Sequence, residues 1–266
     1  MSTQKSGGNF SSIFPYIAIP VALVVGVLIY VYVLGDPSHF EGGDPKLGHP
    51  HDIYGTVYKG GFIVALLLAT NIIVFTFFIE RLISLNQARG TGSVDKFVRS
   101  IRGLLSNGQI DQAIALCNKQ KGSVGAVIHS GLLKYKTLAE DKTQDKETKI
   151  TALKQDLEEA TSLELPMLSK NLVILSTSAS LGVLIGLLGT VSGMIKSFQA
   201  MSAGVPDPAQ LSVGISEALV CTFLGILASA ISIILYSFFS NKIDQLTYGI
   251  DEAGFSVAQT FAAKQH

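Results

Sequence analysis

Cysteine is nearly absent from this chain: Cys117 and Cys221 are the only two in 266 residues. Two scattered thiols build neither a disulfide framework nor a cysteine-based metal site, so both are expected to be free. An excess of either charge is lacking too, since 20 Lys and Arg balance 20 Asp and Glu. That balance leaves no electrostatic footprint for nucleic acid. Nor does the sequence hold a phosphate-binding glycine loop, a zinc-ligand spacing or a nucleophile elbow. The chain is not expected to be an enzyme, and no cofactor or metal is expected.

What it does have is apolar residues, 48% of the total. Four long runs concentrate them, at 14–34, 61–79, 172–195 and 213–239. Each approaches or exceeds the roughly 20 residues a helix needs to cross a ~30 Å hydrocarbon core. The first run has no basic start, small-residue cleavage site or short core, so it reads as a retained span rather than a signal peptide. The expected fold is therefore all-α and polytopic, with the lipid bilayer as its surroundings.

The basic residues set the orientation. Of the 20 Lys and Arg, 14 lie between Arg81 and Lys170, and Arg81, Arg89 and Lys170 flank the adjoining spans. Residues 35–60 hold only Lys46 and Lys59, against Asp36, Glu41, Asp44 and Asp52. The 196–212 connection holds only Lys196. Bases near span ends favour the cytoplasm. Both termini and residues 80–170 are thus expected inside. The division runs 1–34 with the first span, 35–60 an external loop, 61–79 a span, 80–170 a cytoplasmic helical region. After it come 171–195 a span, 196–212 a short external link, 213–240 a span and 241–266 a cytoplasmic tail.

The 35–60 loop is rich in Gly, Pro and Asp and is expected to be irregular. Its three histidines, His39, His49 and His51, raise the question of a metal. Pro50 between two of them, and the lack of a regular scaffold, favour a solvated loop. In the cytoplasmic region, apolar residues at 94, 97, 98, 101, 104 and 105 share one helical face. After the Asn107-Gly108 turn, 110, 113, 114 and 116 share another. A helical hairpin packing on its neighbours is the expectation.

In the third run, Gly182, Gly186, Gly189 and Gly193 recur at steps of four, three and four. They form a ridge on one helix face that lets another helix approach closely, as membrane helices require. Thr190 lies beside the ridge, where its hydroxyl has its own helix carbonyl as a ready partner. The fourth helix has a start signal in Asp207, Pro208 and Gln210. A helix over 208–240 would be roughly 50 Å long. Thr222, Gly225, Ser229, Ser232 and Tyr236 form a small-and-polar stripe along it. Glu217 precedes Thr222 by five residues, which turns it about 140° away from that stripe.

An ionisable group within a span costs on the order of 2.5–3.5 kcal/mol on insertion scales and usually faces a bundle interior or an ion path. The alternative for Glu217 is a structural acid at the outer interface, paired with Lys196 or a neighbouring subunit. The residues alone leave both roles standing.

The two stretches "LIGLLGTVSGMIKSF" and "GISEALVCTFLGILASA" together resemble the MotA/TolQ/ExbB proton-channel family, most closely its ExbB and TolQ branch. The resemblance covers roughly 160–240 and implies a homo-pentamer around two copies of a single-span, ExbD- or TolR-like partner with a membrane Asp. In such assemblies proton flow turns the partner pair and energises outer-membrane processes through a TonB- or TolA-like protein. The chain would then be the proton-channel stator subunit of a bacterial inner-membrane motor, of the TonB, Tol or surface-motility kind. Thr190, Thr222 and Glu217 fall on the family's motif positions and are implied to line or border the proton route. Gly182, Gly186, Gly189, Gly193 and Gly225 would serve helix packing. Two features depart from the best-known relatives. The 14–34 span is additional to a three-span core, and "ASAISII" stands where many relatives carry an Ile-Pro pair. A non-conducting scaffold that uses the glycine ridge for oligomerisation is the rival from another class.

Overall fold

A computed structural model describes residues 7–45, 48–141, 143–202 and 208–264. Among them the chain is all-α, with four helices long and apolar enough to cross a membrane. Asp207, expected to cap the last helix, lies outside the described residues. The chain divides into two compact units, Met1–Ile79 with Val173–Tyr236, and Glu80–Leu172 with Ser237–His266.

The first unit holds α1 (Gly7–Leu28), which continues through one π-helical turn at Ile29–Leu34. It also holds the short α2 (Ile53–Tyr58) and the first part of α3 (Ile63–Arg89). The extra first span packs on α3. A β-carbon on Gly26 would come within 2.8 Å of Ala65 O and 2.9 Å of Ala69 N, so the two backbones touch. Phe14 and Phe77 meet edge to face at 5.7 Å.

The 35–60 loop is more ordered than its composition suggested. Asp52 accepts from Gly55 N at 2.8 Å and starts α2 as its N-cap. His39 joins this turn to the end of the first span. Its Nδ1 lies 2.6 Å from Asp52 Oδ2 and its Nε2 lies 3.1 Å from Val33 O. The Gly55 N–H bond, helped by His39, holds the Asp52 carboxyl below the usual range against the opposing effect of burial. Phe40 is buried and bridges Pro50. Among the described residues no group of three or more His, Cys, Asp or Glu is placed to hold a metal ion.

The second unit contains α4 (Val94–Ser106), α5 (Ile110–Gln120), α6 (Gly122–Glu140) and α7 (Lys146–Ser169). Phe97, Val98, Ile101 and Leu105 of α4 are buried, on the face the spacing picks out. The turn after α4 is at Asn107-Gly108, where Gly108 takes φ +77. In α5 the inward residues are Ala113, Cys117 and Gln120. Gln120 faces in because its Nε2 donates to Arg89 O at 3.1 Å, satisfying the end of α3. Asp145 caps α7, accepting from Thr148 N at 3.2 Å.

The largest departure from expectation is the tail. α9 runs unbroken over Pro208–Lys264, 57 residues, well past the end at Ser240 expected from the apolar run. Asn241, Lys242 and Asp244 end the apolar run but not the helical period. Phe239, Ile243, Leu246, Ile250, Ala253, Val257 and Phe261 continue as one buried face at steps of three and four. Phe261 meets the Tyr135 ring at 4.7 Å, which ties this end to α6.

Candidate functional site

Within the first unit, α8 (Leu172–Ser202) lies against α9 along the glycine ridge. A β-carbon on Gly182 would stand 2.9 Å from Gly225 O and 3.1 Å from Ser229 N. On Gly186 it would stand 3.1 Å from Cys221 O, and on Gly193 2.5 Å from Gly214 O. On Gly189 it would overlap Cys221 itself, and Gly225 fits as tightly against Gly182. The ridge therefore packs on a helix of the same chain. In a bilayer no apolar driving force separates helix from lipid, so such backbone-to-backbone contact supplies the dispersion energy that associates the helices.

That close approach brings Thr190 and Thr222 together. Their hydroxyl oxygens are 2.5 Å apart, and both side chains are half-buried. Each hydroxyl also reaches a carbonyl of its own helix, Thr190 to Gly186 O at 3.2 Å and Thr222 to Ala218 O at 3.0 Å. A hydroxyl has one proton to donate, so two protons serve three contacts. In one arrangement Thr190 donates to Thr222, which donates to Ala218 O. In the other, Thr222 donates to Thr190, which donates to Gly186 O. Both satisfy the pair. The site can reverse the direction of its hydrogen bonds without moving a heavy atom or acquiring charge.

Glu217 turns elsewhere. It is 4% exposed, and Lys196 Nζ donates to both of its carboxylate oxygens at 2.7 Å. The structure thus pairs the two threonines and sends the acid to Lys196, on a side of α9 about 140° from Thr222. This is the pairing named for Glu217 as a structural acid. Behind the acid stands Gly61, with φ +76, where a β-carbon would overlap Glu217 Oε1. Cys221 Sγ, one turn further along α9, reaches Gly60 O at 3.2 Å. Tyr30 from the first span stacks on Tyr58 at 4.8 Å and donates to Tyr58 O at 3.2 Å. Leu34, Val64, Leu67 and Cys221 form the buried core beneath them, with Tyr30 and Tyr58 packed against it. The first span and the end of the loop therefore wall this part of the helix pair. Sequence reasoning missed Gly61 and Tyr30. The Gly60-Gly61 doublet at the mouth of an apolar run was the available signal.

Ser232, further along α9, is fully buried and its hydroxyl has no partner among the described residues. Ser229 of the same stripe is buried, and its backbone faces Gly182.

Residues 120–252, 133 of the 266, match the family model described as the MotA/TolQ/ExbB proton channel family. The match includes Thr190, Lys196, Glu217 and Thr222 and leaves out α1 and the 35–60 loop. A putative biopolymer transport protein ExbB-like 3 of Synechocystis sp. is 40% identical over 90 residues, 33% of this chain and 42% of that protein. A putative biopolymer transport protein ExbB homolog of Methanothermobacter thermautotrophicus is 25% identical over 198 residues, 73% of this chain and 66% of the relative. The Tol-Pal system protein TolQ of Haemophilus influenzae is 28% identical over 144 residues, 52% of this chain and 63% of the relative. The aligned parts thus cover 42% to 66% of the length of these relatives.

Proposed function

The chain belongs to the MotA/TolQ/ExbB proton channel family, and from that premise we propose that it is the proton-channel subunit of a membrane motor driven by the proton-motive force. The observation that carries this reading is the hydroxyl pair of Thr190 and Thr222, 2.5 Å apart within the glycine-packed helices. A reversible pair of hydroxyls relays or orients a proton donor without holding a charge in a low-dielectric setting, where a charge is costly. Opposite such a pair, a membrane Asp on a partner helix has a donor when ionised and an acceptor when protonated. The partner that fits this chemistry is a dimer of single-span, ExbD- or TolR-like chains, encircled by five copies of this one.

In this proposal the motor sits in a bacterial inner membrane with both termini and 80–170 in the cytoplasm, as the distribution of bases supports. It is of the ExbB kind and works on outer-membrane transport through a TonB-like protein. A TolQ-like envelope motor is the second reading, favoured by the TolQ relative. The energised partner decides between them.

The test is the native mass of the complex purified through a tag on this chain, followed by Thr190→Val and Thr222→Val. Five copies with two of a single-span, Asp-bearing protein, and loss of proton-driven work in both variants with assembly intact, are the expected results. A homo-oligomer that captures no such protein, or valine variants that work normally, would remove the reading.

A further inference from the structure

Lys196 and Glu217 present an arrangement that the threonine pair does not use. The side chain of Lys196 is 54% exposed, whereas the Glu217 side chain is 5% exposed. The ammonium therefore reaches inward from an open position and closes over a buried carboxylate. Lysine carries donors only. At 2.7 Å from each oxygen it meets two acceptors, so the geometry is that of an ionised carboxylate gripped at both atoms. Among the described residues, the other titratable groups that face the acid are Tyr30 from the end of the first span and Cys221 from its own helix. The 60–61 turn brings only glycine backbone, with Gly61 set where any side chain would displace the carboxylate.

We propose that Lys196 is a positioning residue that holds Glu217 as a fixed counter-ion, so that this buried acid carries no proton while the ammonium is in place. Glu217 then anchors the outer end of α9 to α8, and proton traffic passes by the hydroxyl pair alone. The functional consequence rests on the proton-channel reading above; the pairing itself does not. A carboxylate buried there without its ammonium escapes the cost of an unpaired charge by taking up a proton. Replacing Lys196 with an uncharged residue of similar length therefore converts a static acid into a titrating one.

The first measurement is infrared difference spectroscopy of the full chain in lipid nanodiscs, stepped between about pH 10 and pH 5, a range wide enough to cover buried carboxyls in general. Wild type and Glu217→Gln are expected to give the same protonated-carboxyl region. Lys196→Met gains a band there, and Lys196→Met with Glu217→Gln loses it again. A band present in wild type and missing in Glu217→Gln overturns the proposal, and so does a Lys196→Met spectrum with no new band. If Lys196→Met does not insert, the wild-type and Glu217→Gln comparison still decides.

The second measurement is the pH profile of proton-driven work in cells. Lys196→Arg is expected to follow wild type. Lys196→Met acquires an additional limb of about tenfold per pH unit, the slope of a single group, which Glu217→Gln removes. Loss of work in Thr222→Val together with an unchanged profile in Lys196→Met overturns the proposal and leaves the channel reading standing. Full work in both threonine variants removes the channel reading, and the infrared comparison still judges Lys196.

Discussion

Gly189 and Cys221 face each other so closely that a single methyl group on the glycine would occupy the space of the thiol-bearing carbon. Gly186 is packed less extremely, with a β-carbon there standing 3.1 Å from Cys221 O and 3.2 Å from Gly225 Cα. The ridge is therefore spent on packing α8 against α9 inside one chain. Gly189→Val should destabilise the isolated subunit before any effect on assembly is seen. Overpacking of this kind costs about 1–3 kcal/mol. Thermal melts in detergent, compared with subunit count by native mass, check it. A Gly189→Val chain that melts like wild type yet fails to oligomerise would transfer the ridge to an intersubunit contact.

Arg81 is 1% exposed and lies in the second unit, where its Nε and Nη2 donate to Glu80 at 2.7 and 2.6 Å. Its Nη1 donates to Leu168 O at 3.2 Å, so α3 is tied to the end of α7. Ser84 adds a bond to the same carboxylate at 2.8 Å. Breaking a buried pair from one side leaves the other charge uncompensated, at about 3–5 kcal/mol. Arg81→Ala is expected to lower folded yield sharply, while Arg81→Met with Glu80→Gln recovers most of it. Chemical denaturation of the purified variants in detergent supplies the comparison. Equal loss in the single and double variants would mean that only the packing of the long side chain matters.

These two cases show what the sequence made legible. The apolar runs carry enough residues to announce four spans, and the glycine steps announce a close contact. Period alone does not say which helix fills the groove, because any small-residue face suits it. Arg81 read as a flanking base, since a charge at a span end is equally consistent with snorkelling to water and with a buried pair. The 241–264 helix was hidden by its polar residues, although its buried positions keep the same three-and-four spacing. Thr190 and Thr222 stood out through their motif, but their meeting depends on the register between two helices 32 positions apart in sequence. Glu217 was conspicuous for its charge, and only the fold shows that Lys196 takes both of its oxygens.

Cys117 sits in α5 behind Ala113 and Gln120, and burial pushes its thiol up to about 12. At pH 8 the thiolate is then about one part in ten thousand, so alkylation is slow in the folded chain. The unfolded chain releases this proton near 9 and the folded chain holds it to about 12, so burial of Cys117 weakens folding as pH rises through that window. Cys117→Ala removes this titration, at some cost in packing. Maleimide labelling should be negligible until denaturant opens the second unit, and Cys117→Ala should flatten the alkaline loss of stability. Rapid labelling of the native chain would show that α5 detaches without global unfolding.

The hydroxyl pair makes a sharper demand than polarity alone. Thr222→Ser keeps the oxygen beside Thr190 and the bond to Ala218 O, whereas Thr222→Val keeps the shape and removes both. If reversal of the hydrogen bonds is what matters, serine retains work within a few-fold and valine abolishes it, while both melt within about 1 kcal/mol of wild type, the usual net worth of one hydrogen bond. Thr190→Val should match Thr222→Val, and the double valine variant should be no worse than either alone, since each change breaks the same pair. Additive losses in the double variant would mean that the two hydroxyls act separately. Deuterium in the solvent offers an independent check. Proton-driven work should slow in D2O for wild type and for the serine variant by a similar factor, because the same exchangeable hydrogens move in both.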